Sequence, residues 1–119
     1  ARMQEGVQAL MQMVKTSSAA WLLDRARVPL FVCLCDPTSG GAIASFAMLG
    51  DVIAAEPGAF VGFQGPRVIE KTISGAVPAG FQSAERQLEH GFVDCIVPRS
   101  DQRAFLSRMI KAHSARRFS

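Results

Sequence analysis

Apolar runs long enough to cross a membrane are missing from this 119-residue sequence. The longest, such as Val28 to Cys35, fall far short of the ~20 residues a spanning helix needs, so no membrane span is expected. The chain does not open on a charged segment followed by an apolar one, so nothing in it directs export and a reducing compartment is the default. Cysteine is scarce: Cys33, Cys35 and Cys95 are an odd number without C-x-x-C spacing, which argues against a disulfide framework and against a zinc site. Cys33 and Cys35 alternate inside an apolar run and read as small apolar core residues of a strand. Charge is also thin, at 19% of residues and a net +3, and the basic surplus gathers in Arg99, Arg103, Arg108, Lys111, Arg116 and Arg117. Such a run reads as the solvated face of a helix, and without a recognition module beside it no nucleic-acid partner is expected.

What the sequence has in quantity is apolar residues, 49% of the total, too many for intrinsic disorder. A chain of this length buries roughly 65% of the surface its unfolded form exposes, enough for one globular unit with a core. Between about residues 3 and 23 the apolar positions Val7, Leu10, Met11, Val14, Trp21 and Leu22 recur at intervals of three and four, which predicts an amphipathic helix. Residues 30–34 form a continuous apolar run of strand length, as in a strand buried on both faces. The turn Asp36-Pro37-Thr38-Ser39-Gly40-Gly41 follows, then a small, apolar, helix-length segment over 42–49.

Further along, 52–55 and 59–63 read as strands, and 67–73 as a short helix with Pro66 at its first position. Residues 74–80 read as a loop. Ser83 is a candidate cap for a helix running to His90 and stopped by Gly91. A strand over 93–97 and a last helix over about 101–113 complete the pattern, with the residues from 113 to 119 expected to fray. Helices separating short apolar strands imply a layered α/β architecture.

The best chemical candidate is Gly40-Gly41, in a turn between a buried strand and a helix start. Backbone N–H groups there face outward with the positive end of the helix dipole behind them, suited to a carbonyl oxygen or a developing oxyanion. Glycine lets a ligand approach without a β-carbon in the way, although an ordinary tight turn would use the same residues. Ser39, Ser45, Asp51 and His90 supply the residue types of a serine hydrolase, but no G-x-S-x-G elbow accompanies them. Glu70 and Glu85 read as solvated carboxylates. The loop from Gly62 to Arg67 combines a strand end, two glycines and an arginine able to hold an anion such as phosphate. It reads equally well as a substrate-lining loop and as turn punctuation.

Several stretches together carry a family resemblance: Ala1-Arg2-Met3-Gln4-Glu5-Gly6, Leu10-Met11-Gln12-Met13, Asp36-Pro37-Thr38-Ser39-Gly40-Gly41, Ser45-Phe46-Ala47-Met48-Leu49-Gly50-Asp51 and Ala55-Glu56-Pro57. Gly62-Phe63-Gln64-Gly65-Pro66-Arg67-Val68-Ile69-Glu70, Pro78-Ala79-Gly80-Phe81-Gln82-Ser83 and Glu89-His90-Gly91-Phe92-Val93-Asp94 continue it. In order and without large gaps, nearly the whole chain resembles the carboxyltransferase beta subunit of multi-subunit acetyl-CoA carboxylase.

That resemblance implies a crotonase-like (ClpP/crotonase) α/β fold in which ββα units stack into a spiral and bind acyl-coenzyme A. It implies a reaction in which carboxybiotin, carried on a biotin carboxyl carrier protein, gives its carboxyl group to acetyl-CoA to form malonyl-CoA for fatty acid synthesis. By position, Gly40 and Gly41 are the implied oxyanion donors, and Ser39, Phe63, Gly65, Pro66 and Arg67 the implied substrate contacts. The freed biotin anion can serve as base, so no catalytic side chain is demanded of this chain.

Complete members of the family also carry an amino-terminal four-cysteine zinc ribbon and the first part of the crotonase domain, ending in a Ser-Gly-Gly segment just before Ala-Arg-Met-Gln. Residues 1–119 therefore read as the carboxy-terminal part of that domain, and any zinc belongs to the ribbon rather than here. The implied partners are the remaining part of the beta subunit, the carboxyltransferase alpha subunit, the carrier protein and acetyl-CoA, in a bacterial cytoplasm or a plastid stroma. Two other readings stay open: a non-catalytic assembly fragment of that complex, and the beta component of another acyl-CoA carboxylase or decarboxylase.

Overall fold

Residues 2–72 and 77–114 are described by the computed structural model, apart from the side chains of Met3, Pro66, Arg67 and Glu70. The helical periodicity of the first stretch is interrupted at Gly6, whose φ of 55° lies in the left-handed region that glycine adopts without steric cost. A short 3-10 turn, Met3–Glu5, precedes it, and helix α1 runs over Val7–Arg25. Arg27, at φ 54°, redirects the chain into the first strand. Of α1 only Ala9 is buried, while Val7, Leu10, Met11, Val14, Trp21 and Leu22 are more than half exposed. The periodicity thus identified the helix, but its apolar stripe is left largely uncovered among the described residues.

Five short strands follow: β1 Phe31–Leu34, β2 Thr38–Ser39, β3 Val52–Ala55, β4 Val61–Gly62 and β5 Cys95–Ile96. They form two parallel ladders between which the chain alternates, one with the order β1-β3-β5 and the other pairing β2 with β4. Of the strand expected over 59–63, only Val61–Gly62 joins a ladder, the smaller one, while Phe60 makes an isolated antiparallel bridge with Ser83. The strand expected over 93–97 contracts to Cys95–Ile96.

The segment over 42–49 departs from the expected helix. It winds as successive turns ending in a 3-10 turn, Ala47–Leu49. The Ser45 hydroxyl donates to the Gly41 carbonyl, competing with the backbone ladder as serine does inside helices. The Ala47 amide reaches back five residues to the Ala42 carbonyl at 3.1 Å. A regular helix would not place these partners together.

Alternation along the three-stranded sheet sends side chains to two faces. One face carries Val32, Leu34, Ile53, Ala55 and Ile96, packed with Ile43, Ala47 and Met48 of the turn segment and with Val61, Ala84 and Val93. On the other, Cys33, Ala54, Cys95 and Val97 lie under Phe105, Leu106 and Met109 of helix α4, Gln102–Ser114. β1 is therefore covered on both sides, as its continuous apolar run predicts, although only Leu34 is fully buried. Cys33 and Cys95 pack as core residues, and desolvation raises both thiol pKa values. Ala54 stands between them in the register, so two strand spacings of about 4.8 Å keep them beyond disulfide reach.

Helix α2, Pro66–Thr72, begins at the expected proline. Helix α3, Ala84–Glu89, is capped by the Ser83 side chain, which accepts from the Arg86 amide at 3.2 Å, and Gly91 turns the chain away at φ 78°. The expected loop over 74–80 falls partly outside the described residues; of the 113–119 expected to fray, His113 and Ser114 instead continue α4, and 115–119 lie outside the described residues. No helix among the described residues is long and apolar enough to cross a membrane.

Candidate functional site

The two loops singled out in the sequence are neighbours in space. β2 and β4 pair in parallel with Ser39 opposite Gly62, and the Gly40 amide donates to the Gly62 carbonyl at 3.2 Å. Gly40 holds φ at 61°, which lets the chain leave the ladder directly after that bond. A β-carbon on Gly40 would stand 3.9 Å from the Phe63 carbonyl oxygen, so the second loop borders the first turn. Phe63 exposes 59% of its surface beside it.

The structure separates the roles available to the two glycines. The Gly40 amide is committed to the ladder, whereas the amides of Gly41, Ala42 and Ile43 donate to no group among the described residues. They are the unsatisfied donors of a helical turn's first residues. The Gly40 carbonyl accepts from the Ala44 amide at 3.0 Å and the Gly41 carbonyl from Ser45. The turn is thereby tied at both carbonyls, with the amides of Gly41, Ala42 and Ile43 the ones left without a partner among the described residues. Such a set of donors fits an oxygen that gains negative charge.

Ser39 is exposed on β2, and the Gly65 carbonyl accepts from the Val68 and Ile69 amides at 3.0 and 3.3 Å to start α2. The side chains of Pro66, Arg67 and Glu70 lie outside what the structure describes. The hydrolase residue types serve structural ends. Ser45 holds the turn, Asp51 accepts the Leu30 amide at 2.7 Å, and His90 ends α3 with its side chain exposed. Glu85 accepts from the Gly58 amide at 2.7 Å. The concavity lined by Ala20, Trp21, Leu30, Leu49 and Asp51 and the one along α4 lie away from the glycine turn. No group of His, Cys, Asp and Glu among the described residues could hold a metal ion.

One carboxylate that organises the site was not singled out from the sequence. Glu56, 8% exposed at the end of β3, accepts from the Asp36 amide at 3.1 Å, from the Arg99 guanidinium at Nε and Nη2, and from Gln102 at 3.4 Å. Asp36 in turn accepts the Phe60 amide at 2.8 Å. These bonds fix the strand ends from which β2 and β4 emerge. The available signal was a carboxylate placed directly after the apolar run Val52–Ala55, buried from Ile53 on, a position that demands donors.

The Arg99 guanidinium, followed by the Asp36 amide, holds the Glu56 carboxyl below its ordinary range. The Gly58 amide does the same for Glu85. A depressed folded pKa contributes stability that is fully present above the unfolded value and lost as pH falls through the folded one. The thermal midpoint is therefore expected to be insensitive to these groups above about pH 5 and to drop below about pH 4. Replacing Glu56 with glutamine should flatten part of that acid-side fall, which a pH series of melting curves reads directly.

No family model matches the sequence. Curated relatives do, over nearly all of it. The chain is 70% identical over 114 residues, 96% of its length, to the acetyl-coenzyme A carboxylase carboxyl transferase subunit beta of Treponema denticola, covering 43% of that protein. Proteins with the same name from Clostridium botulinum strain Hall and Desulforudis audaxviator are 58% and 56% identical, over 95% and 97% of the chain and 39% and 42% of their own lengths. The chain is a homologue of these beta subunits. It spans about two fifths of the length of those relatives.

Proposed function

We propose that this chain supplies part of the carboxyltransferase site of a multi-subunit acetyl-CoA carboxylase, with the turn at Gly40-Gly41 receiving the charge that develops during carboxyl transfer. The observation that carries the reading is the set of amides beginning at Gly41 that have no partner among the described residues, in a chain homologous to carboxyl transferase beta subunits. When the methyl group of acetyl-CoA loses a proton, its thioester oxygen takes up charge as an enolate. The Gly41 amide is the donor placed for that oxygen, and the Gly40 amide, bonded to Gly62, fixes the turn that presents it. Because backbone donors neither titrate nor reorganise, they act at full strength in a site closed from water.

Carboxybiotin supplies the carboxyl group and, once that group has left, a basic ring nitrogen that takes the methyl proton, so no side chain here is required as base. The methyl carbon gains the carboxyl group, and malonyl-CoA results. Ser39, Phe63, Gly65, Pro66 and Arg67 are the proposed substrate contacts, with Phe63 offering apolar surface and Arg67, by residue type, a cation suited to a coenzyme A phosphate.

The alternation of the chain between two parallel ladders, β1-β2 then β3-β4 then β5, supports a crotonase-like spiral of ββα units. The exposed apolar stripe of α1 supports packing against further protein surface, here the rest of the beta subunit and the alpha subunit, with the biotin carboxyl carrier protein as the visiting partner. The proposed setting is a bacterial cytoplasm or a plastid stroma, with zinc confined to a ribbon elsewhere in the subunit.

Competition between acetyl-CoA and propionyl-CoA in the assembled enzyme tests the acyl assignment. A kcat/KM favouring acetyl-CoA is expected, and a preference for the longer chain would place the enzyme among other acyl-CoA carboxylases.

A further inference from the structure

Gln82 carries two unfavourable features in one residue. Its backbone sits at φ 65°, in the left-handed region that residues with a β-carbon rarely adopt. Its side-chain Oε1 is buried without a hydrogen-bond partner among the described residues, although buried polar atoms are normally satisfied. Costs of this kind persist where the surroundings over-determine a conformation, and they collect at functional sites.

The contacts of Gln82 converge on β4. Its carbonyl accepts the Val61 amide at 2.8 Å, and its side chain lies against Gly62 so closely that a β-carbon on Gly62 would overlap Cδ and Oε1. The Gly62 carbonyl is the acceptor of the Gly40 amide at 3.2 Å. Gln82 therefore grips both residues of β4 from the side away from β2, and the second of them holds the turn that presents Gly41. Flanking bonds anchor it: the Ser83 amide donates to the Gly80 carbonyl at 2.9 Å and the Ala84 amide to the Ala59 carbonyl at 2.8 Å.

We infer that Gln82 is a positioning residue for carboxyl transfer, acting by packing over Gly62 so that the Gly62 carbonyl, the Gly40 amide and the Gly41 amide keep one geometry. The inference rests on the proposed role of the Gly40-Gly41 turn. It assigns Gln82 no contact with substrate.

Gln82→Gly and Gln82→Met in the full-length, assembled enzyme test it. Glycine relieves the backbone and removes the orphaned oxygen, so the melting temperature is expected to stay or rise. With the packing over Gly62 gone, kcat should nevertheless fall about tenfold or more, since sub-ångström misplacement of a catalytic donor is costly. KM for acetyl-CoA should stay within about twofold, the pattern of an interaction realised only in the transition state.

Methionine keeps the length and bulk without the amide, and kcat within about threefold of wild type is expected. A Gln82→Gly enzyme with wild-type kcat would overturn the inference, as would a loss of kcat that merely follows a loss of melting temperature. Gln82→Met behaving like Gln82→Gly would also overturn it, because the amide rather than packing would then be responsible. If the wild-type assembly itself transferred no carboxyl group to acetyl-CoA, the proposed function would fail instead.

Discussion

Replacing Gly41 with valine is expected to lower carboxyl transfer by the assembled enzyme roughly 100-fold or more, the scale on which loss of one oxyanion donor acts. Valine keeps the amide but sets a branched side chain beside it, where the thioester oxygen must approach. The bonds that hold the turn are made by other groups: the Gly40 amide to Gly62, the Ala44 amide to Gly40, and the Ser45 hydroxyl to the Gly41 carbonyl. Assembly should therefore survive, and size-exclusion chromatography alongside the turnover assay separates the two effects. Intact assembly with normal turnover would show that this amide is not a donor. Failed assembly would assign the turn a packing role, as the reading of the chain as a non-catalytic fragment requires.

Phe105→Ala should have the largest effect on stability, about 3–5 kcal/mol. Phe105 is 8% exposed and is the buried residue through which α4 meets Ala54 and Val97. Small neighbours make the loss hard to repair, because an alanine and a valine cannot swell into the space an aromatic ring leaves. Ile110→Ala on the same helix provides the contrast. Ile110 is 55% exposed, and its truncation should change stability by less than about 0.5 kcal/mol unless a partner chain covers it. Chemical denaturation of the protein carrying each change reads both values.

The elements whose evidence is local were legible in the sequence. α1 followed from its apolar spacing, α3 from Ser83 and Gly91, and α2 from Pro66, because caps and periodicity act within a few residues. Strands β1 and β3 announced themselves as apolar runs. Of the smaller ladder, β4 lies inside the strand expected over 59–63, but β2 is two residues long, too short for any alternation to register, and their pairing depends on contacts twenty-odd residues apart. The segment over 42–49 has helical composition, yet Ser45 and the long-range packing of Ile43, Ala47 and Met48 on the sheet override propensity there, as tertiary context commonly does.

Within the candidate site, the glycine pair was visible as residue types but not as unequal partners. Which amide is committed depends on Gly62, a residue 22 positions further on that only the fold brings to Gly40. The supporting residues were harder still to read. Glu56 collects donors from Asp36, Arg99 and Gln102, and Gln82 acts on Gly62. Neither relation leaves a spacing that a motif could record.

The central claim is tested most directly by following labelled carboxyl groups from the carboxybiotinyl carrier protein to acetyl-CoA in a complex assembled with this chain in its full-length beta subunit. Labelled malonyl-CoA, formed by wild type and suppressed by Gly41→Val without loss of assembly, is the predicted result. Equal label in malonyl-CoA from wild type and Gly41→Val, or none from an assembled wild type, would contradict it.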